Sequence, residues 1–205
     1  AAVTTGIQNT FVGGLAGDAV TSGSYNVATG YGALTAATTA VQNAAFGRLA
    51  LEDNTTGANN TAIGNHSLGN NTTAANNTAV GYFALGANTT GTQNVAVGAN
   101  ALDANTTGNN NIAVGVGAAG ATTSGGANIA IGVSALATNT TGTTNVAIGQ
   151  DNLYYNTTAS SSTAVGHNAM VQNTTGDGQA FGAFALQSNT TGTNNTALGG
   201  TALYA

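Results

Sequence analysis

Charge is nearly missing from this chain. Only 3% of its 205 residues are charged, against roughly 25% in ordinary soluble domains. The one basic residue is Arg48, and the six acids are Asp18, Glu52, Asp53, Asp103, Asp151 and Asp177. A single cation cannot neutralise a run of phosphates, which excludes nucleic acid as a partner. An acidic membrane surface is disfavoured for the same reason. No run of about 18 apolar residues occurs, so no helical membrane span is expected. Proline, cysteine and tryptophan are absent. Without cysteine, the redox compartment stays open. The opening residues AAVTTGIQNT lack a basic segment followed by an apolar one. No signal peptide is therefore visible, although a mature secreted chain would have lost one.

Catalytic groupings are missing too. His66 and His167 fall six repeats apart in the pattern described below. The scattered acids assemble neither a Ser-His-acid set nor a carboxylate pair. Glu52 and Asp53 are adjacent but fall in an expected turn. No cysteine or histidine cluster suits zinc. No recurring Asp suits the calcium-binding nonapeptide of some β-rolls. Gly13-Gly14 and Gly125-Gly126 are followed by no lysine, unlike a phosphate loop. The expectation is a non-catalytic chain without cofactor or metal.

What is present is a repeat. Glycine, after an alanine-led pair in all but the first copy (Phe11-Val12), recurs at Gly13, Gly30, Gly47, Gly64, Gly81, Gly98, Gly115, Gly132, Gly149 and Gly166, always 17 residues apart. Gly182 and Gly199 continue the series, with one residue deleted between Asn173 and Gly182. Twelve repeats thus cover residues 1–205 as a single domain. With the glycine at position 5, the consensus is N-[T/V/I]-A-[V/I/L/F]-G-x-x-A-L-x-x-N-T-T-G-x-x. Position 1 carries Asn9, Asn26, Asn43, Asn60, Asn77, Asn94, Asn111, Asn128, Asn145 and Asn195, with Ser162 and Gln179 read as the exceptions. Position 13 carries Thr4, then Thr21, Thr38, Thr55, Thr72, Thr89, Thr106, Thr123, Thr140, Thr157, Thr174 and Thr190.

Seventeen residues are too few for a helical hairpin repeat of about 33. Positions 1 to 5 alternate, with β-branched residues at 2 and 4 and small ones at 1, 3 and 5, which predicts a short strand. The expected fold is all-β: a parallel β-solenoid or β-roll of about twelve 17-residue rungs. At about 4.8 Å per rung the rod is roughly 55 Å long. Stacking explains the letters. Asparagine over asparagine forms an amide ladder, and threonine over threonine pairs hydroxyls and methyls. Stacked like charges would repel, which accounts for their scarcity. Glycine at 5 and 15 is expected in turn conformations closed to other residues, although Ala40, Ala74 and Ala159 show position 15 to be soft. The core is expected from positions 2, 4, 8 and 9.

The other strand face is then a file of alanines: Ala28, Ala45, Ala62, Ala79, Ala96, Ala113, Ala130, Ala147 and Ala164. Either it lines a tight interior, or it is a contact between chains, most simply three-fold because closed cyclic symmetry is the rule for homo-oligomers. The segments NTAVGYFAL, NVAVGANAL and NIAIGVSAL resemble the head repeats of the YadA-like trimeric autotransporter adhesins, centred on N-x-A-[V/I]-G-x-x-[A/S], and related repeats of bacteriophage tail fibres. The resemblance covers all twelve copies but about six positions in each. It implies a left-handed β-roll in a trimer. The repeats of that family are nearer 14 residues; the extra length here falls at NTTG, and no stalk, neck, barrel anchor or fibre chaperone is visible.

Neither end of the repeat array reads as a cap, so a head-to-tail filament of identical copies, or a longer shaft, is a further expectation. The functional expectation is an extracellular or cell-surface fibre or adhesin shaft, with a bacteriophage tail-fibre shaft on a virion as an alternative. Tyr25, Tyr31, Tyr82, Tyr154, Tyr155, Tyr204, Phe83 and Phe184 offer docking points for a glycan or surface ligand. Ice binding by the threonine files is another alternative. Against it, consecutive positions 13 and 14 face opposite ways if extended. Asn-Thr-Thr occurs at Asn54, Asn71, Asn88, Asn105, Asn139, Asn156, Asn173 and Asn189. Each matches an N-glycosylation acceptor, but the favoured reading is a side chain closing an Asx-turn.

Overall fold

The structure, a computed structural model, describes residues 4–204. Residues 1–3 and 205, which belong to the two terminal segments read above for missing caps, lie outside the described residues. Among the described residues, twelve strands of three or four residues, from β1 (Thr10–Val12) to β12 (Asn195–Leu198), form one parallel sheet in sequence order. Each residue pairs with its copy in the next repeat. Between β4 (Thr61–Ile63) and β5 (Thr78–Val80), Thr61 faces Thr78, Ala62 faces Ala79 and Ile63 faces Val80. One repeat is therefore one turn of a parallel β-solenoid, with about eleven turns from the first strand to the last.

Strands supply a minority of each coil, yet the ladder continues around it. The Leu68 N–H donates to the Ala84 carbonyl (3.0 Å), the Asn70 N–H to Gly86 (3.1 Å) and the Thr72 N–H to Thr89 (3.2 Å) in the next coil. The His66 N–H donates back to Arg48 (3.0 Å) and the Asn76 N–H to Ala58 (3.0 Å). Backbone groups of the turns are thus satisfied by neighbouring coils, as burial demands.

Turning a chain through a full circuit in 17 residues requires left-handed backbone, and the structure places it at positions 5, 7, 9 and 17. Glycine at position 5 has φ from 121° to 139°. Position 15 was expected to behave likewise and does not. Its glycine is favoured by proximity instead: a Cβ on Gly57 would meet the Ala74 carbonyl and the Asn54 amide oxygen. Positions 7, 9 and 17 are occupied mostly by other residues, such as His66 (φ 55°), Leu68 (φ 51°) and Asn76 (φ 63°). A left-handed leucine costs about 1–2 kcal/mol, while full burial of its side chain contributes about 1.5–3 kcal/mol. Burial offsets the strain at position 9, which is why leucine rather than glycine stands there.

The core is inverted relative to the expectation at the strands. Ala28, Ala45, Ala62, Ala79, Ala96, Ala113, Ala130, Ala147 and Ala164 are completely buried, and they cluster with the position 8 alanines and position 9 leucines. Valine and isoleucine at positions 2 and 4 point out of the coil. The alanine file therefore cannot be a contact between chains. The reason is width: the leucine at position 9 occupies the interior, leaving room for only a methyl on the strand. Positions 8 and 9 are buried as expected.

Pairing also corrects the repeat register after the deletion. Gly178 faces Asn195, and Gln179 faces both Thr163 and Thr196. Gly178, not Gln179, takes position 1 of that coil, and the lost residue comes from the preceding turn.

Candidate functional site

Side chains repeating at one position form files along the rod, and each file has its own chemistry. The position 1 asparagines are buried from Asn26 to Asn145. Their main bond is not amide to amide. Each Oδ1 accepts the backbone N–H of the next asparagine, as from Asn60 to Asn43 (3.0 Å), Asn77 to Asn60 (3.0 Å) and Asn94 to Asn77 (2.9 Å). Each Nδ2 donates to the position 15 carbonyl of its own coil, as from Asn77 to Gly91 (2.9 Å). Direct amide–amide contacts at 3.2 Å supplement this in pairs such as Asn43 with Asn26. The column ends where the Ser162 N–H donates to Asn145 (3.0 Å). The Ser162 hydroxyl is buried without a partner, and Gly178 separates Asn195 from the rest.

A second amide column stands at position 12. Asn54, Asn71, Asn88, Asn105, Asn139, Asn156 and Asn173 are completely buried. Here amides do meet: Asn71 Nδ2 donates to Asn54 Oδ1 (2.9 Å), Asn88 to Asn71 (3.0 Å) and Asn105 to Asn88 (2.8 Å). Each Nδ2 also reaches the carbonyl three residues on, as Asn88 does to Gly91 (2.9 Å). This is a different bond from the Asx-turn expected, and it uses the nitrogen that glycosylation would modify. The 17-residue spacing of these asparagines is legible in the sequence, where it coincides with the Asn-Thr-Thr signature.

Threonine hydroxyls at position 13 do not pair with one another. Each donates to the backbone carbonyl of the next threonine, at 3.0–3.3 Å from Thr21 to Thr174. Positions 13 and 14 both lie outside, between buried residues at 12 and 15. The objection that they face opposite ways does not hold, because the segment runs with two outward residues for each inward one.

The outer face of the sheet carries an apolar file. Phe46, Ile63, Val97, Ile131, Ile148 and Phe181 at position 4 are 37–42% exposed, and the pairing register puts them in one continuous file. Val95, Ile112, Ile129 and Val146 at position 2 run beside them.

The charged groups, the histidines and the tyrosines lie outside the strands. His66 Nδ1 is 4.0 Å from Glu52 Oε2, and its ring stacks on Phe83 at 5.1 Å. His167 meets Phe184 edge-on at 5.2 Å, with Tyr204 beyond. The two histidines stay on separate coils, as their spacing implied. Burial pushes the Asp103 carboxyl above its ordinary value, opposed by its own backbone N–H and that of Ala104. Among the described residues no group of three or more His, Asp or Glu is placed to hold a metal ion, and no helix is long and apolar enough to cross a membrane. No protein-family model, curated protein or solved structure matches the chain.

Proposed function

We propose that the chain is a structural rod, the shaft of an extracellular or cell-surface fibre or adhesin, whose copies pack side by side through the outer face of the sheet. The observation behind this is the file of phenylalanine, isoleucine and valine that runs without a polar break from Phe46 to Phe181, most of it exposed. Contiguous apolar surface of this kind marks an interaction site rather than a resting surface. Because the file recurs in every coil from Phe46 to Phe181, a parallel neighbour in register meets like with like along that length. A closed three-fold arrangement, which the resemblance to YadA-like head repeats also suggests, covers every copy of the face equally. A bacteriophage fibre shaft needs the same rod and the same contact.

The test is the mass in solution of the parent chain and of a double variant, Ile63→Glu with Ile131→Glu. The parent is expected at three times the chain mass and the variant at one, with unchanged circular dichroism. A parent that stays monomeric at high concentration overturns the reading.

Ice binding is the second reading, favoured by one observation: two adjacent outward threonine files, the inner one with hydroxyls fixed to the backbone. A freezing-point gap that disappears on Thr90→Tyr supports it; no gap at millimolar protein removes it.

A further inference from the structure

Coil nine holds the one position 8 residue larger than alanine or serine. Where the consensus has a small residue at position 8, it has Asn152, and it reads Gln150-Asp151-Asn152-Leu153-Tyr154-Tyr155. A residue that breaks an otherwise consistent position is where a functional role is expected. Beside Asn152 lies a cleft: Asp151, Tyr154 and Tyr155, with Asn168 and Val171 of the next coil, line an open cavity of about 280 Å³.

The structure assigns this cleft, in our reading, as a binding site for one neutral sugar unit, such as the terminal residue of a surface glycan. A pyranose offers an apolar face of C–H bonds and an edge of hydroxyls. The two tyrosine rings stand nearly perpendicular, centroids 4.8 Å apart, and with Val171 they supply a corner for the apolar face. Asp151 and Asn168 supply acceptors and a donor for the hydroxyls. Gln150 Nε2 donates to Asp151 Oδ2 (3.0 Å), which orients the carboxylate and leaves acceptor capacity on it. No cation lines the cleft, and its one formal charge is negative, so acidic sugars are disfavoured. The volume lies near the roughly 300 Å³ lower bound of small-molecule sites, which fits one ring rather than a chain of them.

The backbone that carries these side chains is held in place. Asn152 is completely buried. Its Oδ1 accepts the Ala169 N–H (2.7 Å), and its Nδ2 donates to the Ile148 carbonyl. In other coils the position 8 N–H turns back to the glycine at position 5, as Ala84 does to Gly81 (3.4 Å). Asn152 thus ties the turn that carries Asn168 to the coil that carries the tyrosines. The Thr138 hydroxyl donates to the Tyr154 carbonyl (2.6 Å) from the opposite side. A site whose walls are fixed before binding spends less affinity on ordering itself.

The cleft is formed within one chain, so the inference stands apart from lateral assembly and is tested on the monomeric Ile63→Glu, Ile131→Glu chain as well as on the parent. The measurement is saturation-transfer NMR and titration with the methyl glycosides of glucose, galactose, mannose and N-acetylglucosamine, with a sialoside as the anionic control. At least one neutral glycoside is expected to bind saturably in the millimolar range and the sialoside not to. Tyr155 is 53% exposed, so Tyr155→Ala leaves the fold intact and weakens binding at least about tenfold. Tyr155→Phe keeps the ring and most of the affinity, Asp151→Ala loses it, and Tyr82→Ala, on a distant coil, changes nothing. Absence of saturable binding by every neutral glycoside, equal binding of the sialoside, or undiminished binding by Tyr155→Ala overturns the assignment.

Discussion

The ring of Phe11 lies where the Gly17 side chain would be: a Cβ on Gly17 would stand 2.7 Å from three of its carbons. In the other coils these positions hold alanine and, almost always, leucine or methionine. The first coil reverses the sizes and fills the same interior, with the backbone of Gly17 in the left-handed conformation (φ 60°) that its leucine counterparts adopt.

The two sites are therefore expected to be strongly coupled. Gly17→Leu alone overpacks the coil, at a cost of about 1–3 kcal/mol. Phe11→Ala alone leaves a void and costs a similar amount or more. The double variant restores the consensus and is expected to cost far less than the sum. Hydrogen exchange of the first coil's amides reports the local stability, since a repeat array need not unfold as one unit. Additive losses would contradict the shared interior.

The position 12 column is interrupted at Thr122. The interruption leaves Asn105 Oδ1 buried without a hydrogen bond, while Asn139 Nδ2 reaches Thr122 Oγ1 at only 3.5 Å. Thr122→Asn supplies the missing donor and is expected to stabilise the rod by about 1 kcal/mol. Asn88→Ala, in an unbroken stretch, is expected to cost about 1–3 kcal/mol by orphaning its neighbours. Thermal melts of both variants beside the parent give the comparison.

Inside and outside of the sheet should differ sharply under small changes. Ala96→Val adds two methyl groups to a completely buried site and is expected to destabilise by about 1–3 kcal/mol. Val97→Thr, on the outer face, is expected within about 0.5 kcal/mol for the isolated chain. Denaturant titration of a monomeric background separates this from any effect on assembly.

Asp103 makes stability depend on pH in an unusual direction for a carboxylate. Its folded pKa is raised by burial, so the folded chain holds the proton more tightly than the unfolded one. That contribution is complete below the ordinary value of 3.8 and is lost as pH rises through the folded value. Asp103→Asn is accordingly expected to melt higher than the parent at neutral pH, with the gap closing in acid. A gap that is constant from neutral pH to below the ordinary carboxylate value would contradict it.

The sequence by itself determined the winding. A 17-residue period in asparagine, glycine and threonine dictates which residues stack, because parallel pairing of identical coils admits one register, and near-absence of charge follows from the close spacing of copies. The four left-handed corners were legible only at Gly47 and its equivalents, because leucine, histidine and asparagine at the other corners carry no letter that marks a positive φ. Which face of each strand turns inward was decided by tertiary structure. Alternation of Val95, Ala96 and Val97 has two solutions, and hydrophobicity alone favours the wrong one. Leu102 reaches across the narrow interior, only a methyl fits opposite it, and the larger side chains are therefore left facing outward. The period likewise stacks Asp151 with Asn168 and Tyr154 with Val171, but that they enclose a cleft was decided by the path of the turns, which sets the space between stacked side chains.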